Sequence, residues 1–391
     1  MPLSRRNFLA TVGAGSAGVA VLPLVSARGR EALLAQQPQS RPVASDRRAD
    51  RALASAPGMV RLDSNENPNG PGARAFEAMR STFGDANRYP ITLEDDLTAE
   101  IARYLGVKPE NIMLGCGSSE VLQNAVQAFT SPTRALVSPS PTFEQPATFA
   151  KFINSPVRSP RVDAKLRLDL DATADASKGA GLVYFCNPNN PTATVHGRAA
   201  VAGFIARVNR SSPQTMILVD EAYHEYVEDP AYATMIPMAL DNPRMFVART
   251  FSKVFGLAGM RVGYAVGRPE VLARMRGWML GSNVNQLALA AAKTTVGDAT
   301  RIAEEKKKNH EAKVFTAKYF AGAGYEVIPS EANFMMVDIK RDVKAFKAEC
   351  IKKGVAIGRP FPPLNTHVRI SVGTMAEMQK AVEVFHTTLA G

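Results

Sequence analysis

Residues 216–266 read MILVDEAYHEYVEDPAYATMIPMALDNPRMFVARTFSKVFGLAGMRVGYAV. Three apolar runs stand out in this stretch: Met216 to Val219, Met245 to Ala248 and Val262 to Val266. Each is continuous rather than alternating, as in strands covered on both faces. With helical stretches between such runs, the pattern predicts βαβ units and a mostly parallel sheet. The residues just beyond the runs are polar. Asp220-Glu221-Ala222-Tyr223 closes the first, Arg249-Thr250-Phe251-Ser252-Lys253 closes the second, and Arg261 comes eight residues past the lysine. Ligands of open α/β sheets sit beyond the carboxyl ends of the strands, so these tips are where chemistry is to be sought.

The same grammar extends in both directions. Asn111 to Leu114 is short and apolar and leads into Gly115-Cys116-Gly117-Ser118-Ser119-Glu120, which opens a helix over Glu120 to Phe129. Leu93 to Leu105 has helical spacing. Ala135-Leu136-Val137 and Leu182 to Cys186 are further strands, the latter followed by Asn187-Pro188-Asn189-Asn190-Pro191-Thr192. A long helical region is predicted from about Val284 to Phe320. Strands at Phe334 to Ile339 and Val368 to Val372 and helices at Val343 to Lys353 and Met375 to Leu389 complete the tail. The predicted class is α/β. An N-terminal arm (59–90) precedes a large domain with a mostly parallel central sheet (91–285), and a smaller α+β C-terminal domain (286–391) follows.

Bulk composition excludes more than it selects. The chain of 391 residues is 46% hydrophobic and 21% charged, an ordinary globular balance with no fixed repeat. Its 47 basic against 36 acidic residues give +11. The densest basic run, EEKKKNHEAK (304–313), carries acids too and reads as a solvated helix face, so no nucleic acid partner is expected. Three widely spaced cysteines, Cys116, Cys186 and Cys350, predict free thiols rather than disulfides. The five histidines form no H-x-x-x-H pair, so no metal site is expected.

The N-terminus MPLSRRNFLATVGAGSAGVAVLPLVSARGR has a charged start, an apolar stretch and the small residues Val25-Ser26-Ala27. That is the layout of a cleaved signal peptide. The S-R-R-N-F-L string resembles the twin-arginine export signal, which implies an exported, periplasmic protein with no stable membrane insertion after cleavage at about residue 27. Gly13 to Gly18 also fits the dinucleotide G-x-G-x-x-G. That motif needs an acid closing a second strand downstream, and LLAQQPQSRP supplies neither strand nor acid. Residues 28–58 are polar and Pro/Ala/Arg-rich, a flexible linker.

Each polar tip has an ordinary reading taken alone: GCGSSE as a turn and helix cap, NPNNPT as a turn, a lone Asp as a cap, a lone Lys as surface. Together they describe one ligand. Small residues at a helix N-terminus bind a phosphate through backbone N–H groups, and Arg261 adds a charged fork. A carboxylate such as Asp220 holds a pyridinium nitrogen protonated. A lysine among cations in a partly dry pocket has a lowered amine pKa and forms a Schiff base. No G-K-[ST] follows GCGSSE, which removes the P-loop reading.

In order along the chain, L-D-S-N-E-N-P, R-Y-P, G-C-G-S-S-E, N-P-N-N-P-T, D-E-A-Y, T-F-S-K-V-F-G-L-A-G-M-R-V-G and R-I-S-V-G-T make the sequence resemble fold-type I pyridoxal-phosphate aminotransferases of class I/II. It is most similar to the histidinol-phosphate aminotransferase family, from about Val60 to the C-terminus. The resemblance implies pyridoxal 5'-phosphate as cofactor, with Lys253 forming the Schiff base and carrying the proton. Asp220 would pair with the ring nitrogen, and Tyr223 and Asn190 would bond the phenolic oxygen. Gly117, Ser118, Ser119, Thr250, Ser252 and Arg261 would cradle the phosphate, reached also by Tyr89 from a neighbouring subunit in a homodimer. Arg369 would clamp the substrate carboxylate, Arg359 would be a second anion contact, and Asn65 and Glu66 lie on a segment that closes over the substrate.

Two positions depart from the pattern. Phe143 stands where the ring-stacking residue is commonly Tyr, which keeps stacking and loses a hydroxyl. Ala193 replaces the Gly of N-P-T-G, a small change. The export signal departs further, because histidinol phosphate is a cytoplasmic intermediate; the resemblance therefore speaks to fold and cofactor more than to substrate. The implied activity is transfer of an amino group from an amine donor to a 2-oxo acid. A lyase or decarboxylase on the same scaffold is the alternative, and a sensory protein using the cofactor as ligand lacks a visible DNA-binding domain.

Overall fold

A computed structural model describes residues 56–390. The signal-like segment, its G-x-G-x-x-G string and nearly all of the linker lie outside the described residues. The strands are β1 (Val60–Leu62), β2 (Ile112–Cys116), β3 (Leu136–Val137), β4 (Val157–Arg158), β5 (Leu182–Cys186) and β6 (Met216–Asp220). They continue as β7 (Met245–Thr250), β8 (Val262–Gly267), β9 (Glu326–Val327), β10 (Phe334–Asp338), β11 (Val355–Ile357) and β12 (His367–Ser371).

A seven-stranded sheet runs β2-β8-β7-β6-β5-β3-β4. All its pairings are parallel except those of β8, which is antiparallel to both β2 and β7. The continuous apolar runs are explained by what covers the two faces. In β5, Val183 and Phe185 join one core while Leu182, Tyr184 and Cys186 join another. In β6, Ile217 and Val219 go to the first and Met216 and Leu218 to the second. Period-two alternation is present, but both faces are apolar, so hydropathy shows no alternation. Helix Ser118–Phe129 covers the second face through Val121, Leu122, Ala125 and Phe129. Helices Ile91–Leu105, Arg198–Ser211 and Gln286–Thr295 contribute Leu97, Phe204 and Leu289 to the first.

A third core gathers β10, β11, β12 and helices Ala299–Gly322, Val343–Lys352 and Met375–Leu389. β10 and β12 pair antiparallel, with Met336 opposite Arg369. β1 joins this core from the far end of the chain, pairing parallel with β11 so that Val60 faces Val355 and Leu62 faces Ile357. Three residues of β1 offer too little pattern to be read as a strand, and the sequence predicts only an arm there.

The predicted helical region from Val284 to Phe320 is two helices, Gln286–Thr295 and Ala299–Gly322. The break is local chemistry: Gly297 takes φ +74, and the Asp298 side chain accepts the Arg301 N–H at 3.1 Å. No helix among the described residues is long and apolar enough to cross a membrane.

Candidate active site

The antiparallel course of β8 matters to the site. The carboxyl ends of β2, β5, β6 and β7 all lie on one edge of the sheet, and the amino end of β8 lies on that same edge. Arg261, just before β8, therefore meets residues that come after the other strands.

On the anion side, helix Ser118–Phe129 begins at Gly117, φ 72 and ψ 163, and no side chain caps it. The ordinary reading of Ser118 or Ser119 as an N-cap is thus not what the fold uses. Glu120 instead folds back to accept the Cys116 N–H at 2.6 Å and is held by Asn283 Nδ2 at 2.7 Å. Ser119 Oγ accepts from Arg261 Nη2 at 3.4 Å. Arg261 Nη1 donates to Ala258 O at 2.9 Å and reaches Ser252 Oγ at 3.5 Å. Thr250 Oγ1 donates to Ser252 Oγ at 3.0 Å and accepts the Ser252 N–H at 3.1 Å. A Cβ on Gly117 would collide with the Arg261 guanidinium, and one on Gly263 with the Ser118 backbone nitrogen. Uncapped amides, hydroxyls and one guanidinium converge at a helix N-terminus, which is what a phosphate requires.

Asp220, at the end of β6, is buried. Its Oδ2 accepts from the Tyr184 hydroxyl at 2.7 Å and its Oδ1 from the Ala222 N–H at 3.1 Å. Burial pushes its carboxyl up to about 6, against those two donors and nearby Lys253. Lys253 Nζ donates to Asn65 O at 3.0 Å and lies 5.4 Å from the Tyr223 ring centroid. Burial first, then the Arg369 charge, bring its amine down to about 8. Tyr223 OH accepts from Asn65 Nδ2 at 3.2 Å, and its ring meets Phe334 edge-on at 5.1 Å.

Arg369 reaches this cluster from β12. Nη1 donates to Asn190 Oδ1 at 2.8 Å and Nη2 to Asp63 O at 2.6 Å, while Nε is buried without a partner among the described residues. Asn65, in the left-handed region at φ 55, joins the parts. Its backbone N–H donates to Ser371 Oγ at 2.8 Å, its Oδ1 accepts from that hydroxyl at 2.9 Å, and its carbonyl accepts Asn333 Nδ2 at 3.1 Å. Glu66 pairs with Arg61 at 3.0 Å and raises the Lys253 amine from a distance.

Three other predicted site residues make no hydrogen bond to this cluster among the described residues. Arg359 is held by Glu144 Oε2 at 2.6 Å and stacks 4.1 Å from the Phe361 centroid, with Arg369 at 4.9 Å from that ring. Phe143 is half-buried against the core under helix Ser118–Phe129. Tyr89 is 82% exposed. Sequence reasoning missed Tyr184, Asn333 and Glu144. A lone hydroxyl inside Leu182–Cys186 was the available sign of the first, since a buried phenol needs a partner. Nothing local marks Asn333, which comes from far along the chain.

These residues fit pyridoxal phosphate on structural grounds. The Gly117–Arg261 cradle admits no side chain, Asp220 is a buried carboxylate, and Lys253 is a depressed amine near it.

The model of the family described as aminotransferase class I and II matches residues 57–385. Histidinol-phosphate aminotransferase of Moorella thermoacetica is 33% identical over 337 residues, covering 85% of this chain and 86% of that protein. Aromatic amino acid aminotransferase of Nocardia farcinica is 34% identical over 324 residues, covering 82% and 88%. The crystal structure of histidinol-phosphate aminotransferase from Sinorhizobium meliloti, in complex with pyridoxal-5'-phosphate, superposes with a TM-score of 0.77 at 26% identity, covering 84% and 90%.

Proposed function

The chain belongs to the class I and II aminotransferases, and from that premise we propose how its own residues run the transfer and for what kind of amine. Its cofactor is pyridoxal 5'-phosphate, and its relatives favour transamination over the lyase alternative. When bound, the cofactor supplies an aldehyde for the amine and a ring that withdraws electrons from the neighbouring carbon.

Lys253 is the residue that would hold the aldehyde and then, as a free amine, carry the proton between the substrate Cα and the cofactor C4′. The observation that carries this is the pairing of a half-buried amine brought down to about 8 with a buried carboxyl at about 6. One is a base near neutrality and the other an anion that holds the ring-nitrogen proton. Tyr223 and Asn190 would bond the cofactor's phenolic oxygen. Gly117, Ser118, Ser119, Thr250, Ser252 and Arg261 would hold the phosphate, Phe143 would stack on the ring, and Tyr89 of the partner subunit would complete the cradle in a homodimer. The exposure of two large apolar side chains, Tyr89 at 82% and Leu280 at 72%, supports a second copy covering them.

The donor is an amine with one anionic group for Arg369, whose buried Nε is free among the described residues to take it. Asn65 closes over that group and Arg359 contacts a second one. The acceptor is a 2-oxo acid. The Arg5-Arg6 segment supports export by the twin-arginine route, and replacing both with Lys, then fractionating cells, tests it.

The function is tested by recording visible absorption of the protein lacking residues 1–27 while adding amines, histidinol phosphate and aromatic amino acids included. One amine should bleach the band and a 2-oxo acid restore it. Carbon dioxide release instead would reverse the reading, as would an unchanged band in Lys253→Ala.

A further inference from the structure

β5 lies beside β6, with Cys186 opposite Asp220 in register, and two residues earlier it carries Tyr184. Tyr184 is fully buried in a strand whose other members are Leu182, Val183, Phe185 and Cys186. Phenylalanine would fill this volume without the cost of burying a hydroxyl. The hydroxyl donates to Asp220 Oδ2 at 2.7 Å, while the Ala222 N–H takes Oδ1 at 3.1 Å. Each carboxylate oxygen thus has one fixed donor, and the plane of the carboxylate is set by two points.

The groups facing Asp220 come from every neighbouring element. Lys253 lies beyond β7, Glu221 and Tyr223 are in the same loop, and Cys186 and Tyr184 lie on β5. Of these, only Tyr184 donates a side-chain hydrogen bond to Asp220. Burial works against the charged form, and the phenol and the amide work for it.

We propose that Tyr184 is a positioning residue of the cofactor site, whose hydroxyl keeps Asp220 ionised and oriented as the acceptor for a protonated ring nitrogen. This rests on Asp220 being the partner of that nitrogen, as proposed for the transfer itself. Without the phenol, Oδ2 is left buried and unpaired, and the carboxyl takes up a proton of its own. A neutral acid no longer balances a ring cation, so the cofactor loses a charged partner while its phosphate contacts remain.

The test is equilibrium binding of pyridoxal phosphate to apoprotein, wild type against Tyr184→Phe, from about pH 5 to about pH 9, with thermal melting of both apoproteins. Tyr184→Phe is expected to bind about tenfold more weakly near neutrality, with its pH midpoint displaced upward by about one pH unit. Identical affinity and midpoint would overturn the inference, as would an equal loss at every pH accompanied by a lower apoprotein melting temperature. If Tyr184→Phe does not fold, 3-fluorotyrosine at position 184, a stronger donor of the same shape, should move the midpoint downward; an unmoved midpoint overturns the inference. Wild-type protein that binds no pyridoxal phosphate would instead overturn the cofactor reading, and this inference with it.

Discussion

At Lys253, the amine is brought down by burial and by Arg369, a residue over a hundred positions away in sequence. With the amine near 8, roughly a tenth is neutral at pH 7, against a negligible fraction for a free lysine. Pyridoxal phosphate should therefore attach to apoprotein faster as pH rises, levelling off above about 8, as stopped-flow absorbance would show. Stability carries the matching sign. A base with a depressed folded pKa penalises the folded ammonium form, so Lys253 costs stability below about 8 and that cost disappears as pH climbs toward 10.5. Glu144 makes a second residue-scale case. Its bond to Arg359 at 2.6 Å leaves both side chains partly exposed, so the pair is worth less than about 1 kcal/mol. Glu144→Gln should lower KM for amines with two anionic groups by up to roughly fivefold and leave those with one unchanged, measured by steady-state kinetics. Lys253, Asp220 and Arg369 were legible because their types and tips are distinctive. Glu144 was not, because its meaning is its contact with Arg359.

Among the elements, the turn after β5 shows how a departure from pattern is absorbed. Ala193 stands at φ 60, where the family's Gly would sit at no cost, and an alanine there is strained by about 1–2 kcal/mol. Its methyl, however, is fully buried with Ala222, Tyr223, Ala332 and Phe334. That burial returns about 0.8 kcal/mol, and a glycine would lose a further 0.5–1 kcal/mol or so of backbone entropy. Ala193→Gly should then change stability by less than about 1 kcal/mol in urea unfolding; a gain well beyond that would mean the methyl packs poorly. The small change read from sequence is therefore a cancellation. The helix split at Gly297 and Asp298 has a similar lesson: the apolar spacing runs on across the break, and only the turn chemistry marks it.

For the whole molecule, the proposed homodimer has a consequence no single chain can show. In that proposal Tyr89 would serve its partner's phosphate while Lys253 serves its own. A mixture of Tyr89→Ala and Lys253→Ala chains should thus form hybrid dimers with one intact site, and activity should exceed that of either variant alone. Activity no greater than the sum of the parents would place Tyr89 outside the site. The pairing of β1 with β11 is another property of this scale. It sets Asn65, three residues past β1, beside Ser371 and Asn333, and so ties the arm to the Lys253 amine.

The sequence by itself determined the α/β class, the mostly parallel sheet and the polar tips of its strands. Continuous apolar runs require cover on both faces, and polar residues directly after them fall at the strand ends. The tertiary structure alone decided that β8 runs against its neighbours and so brings Arg261 to Ser119, that Tyr184 serves Asp220, and that Asn65 joins Lys253 to β12. These depend on contacts between segments far apart in the chain. Local periodicity carries no information on which side chains meet across such distances, whereas packing and the need to pair every buried polar group do.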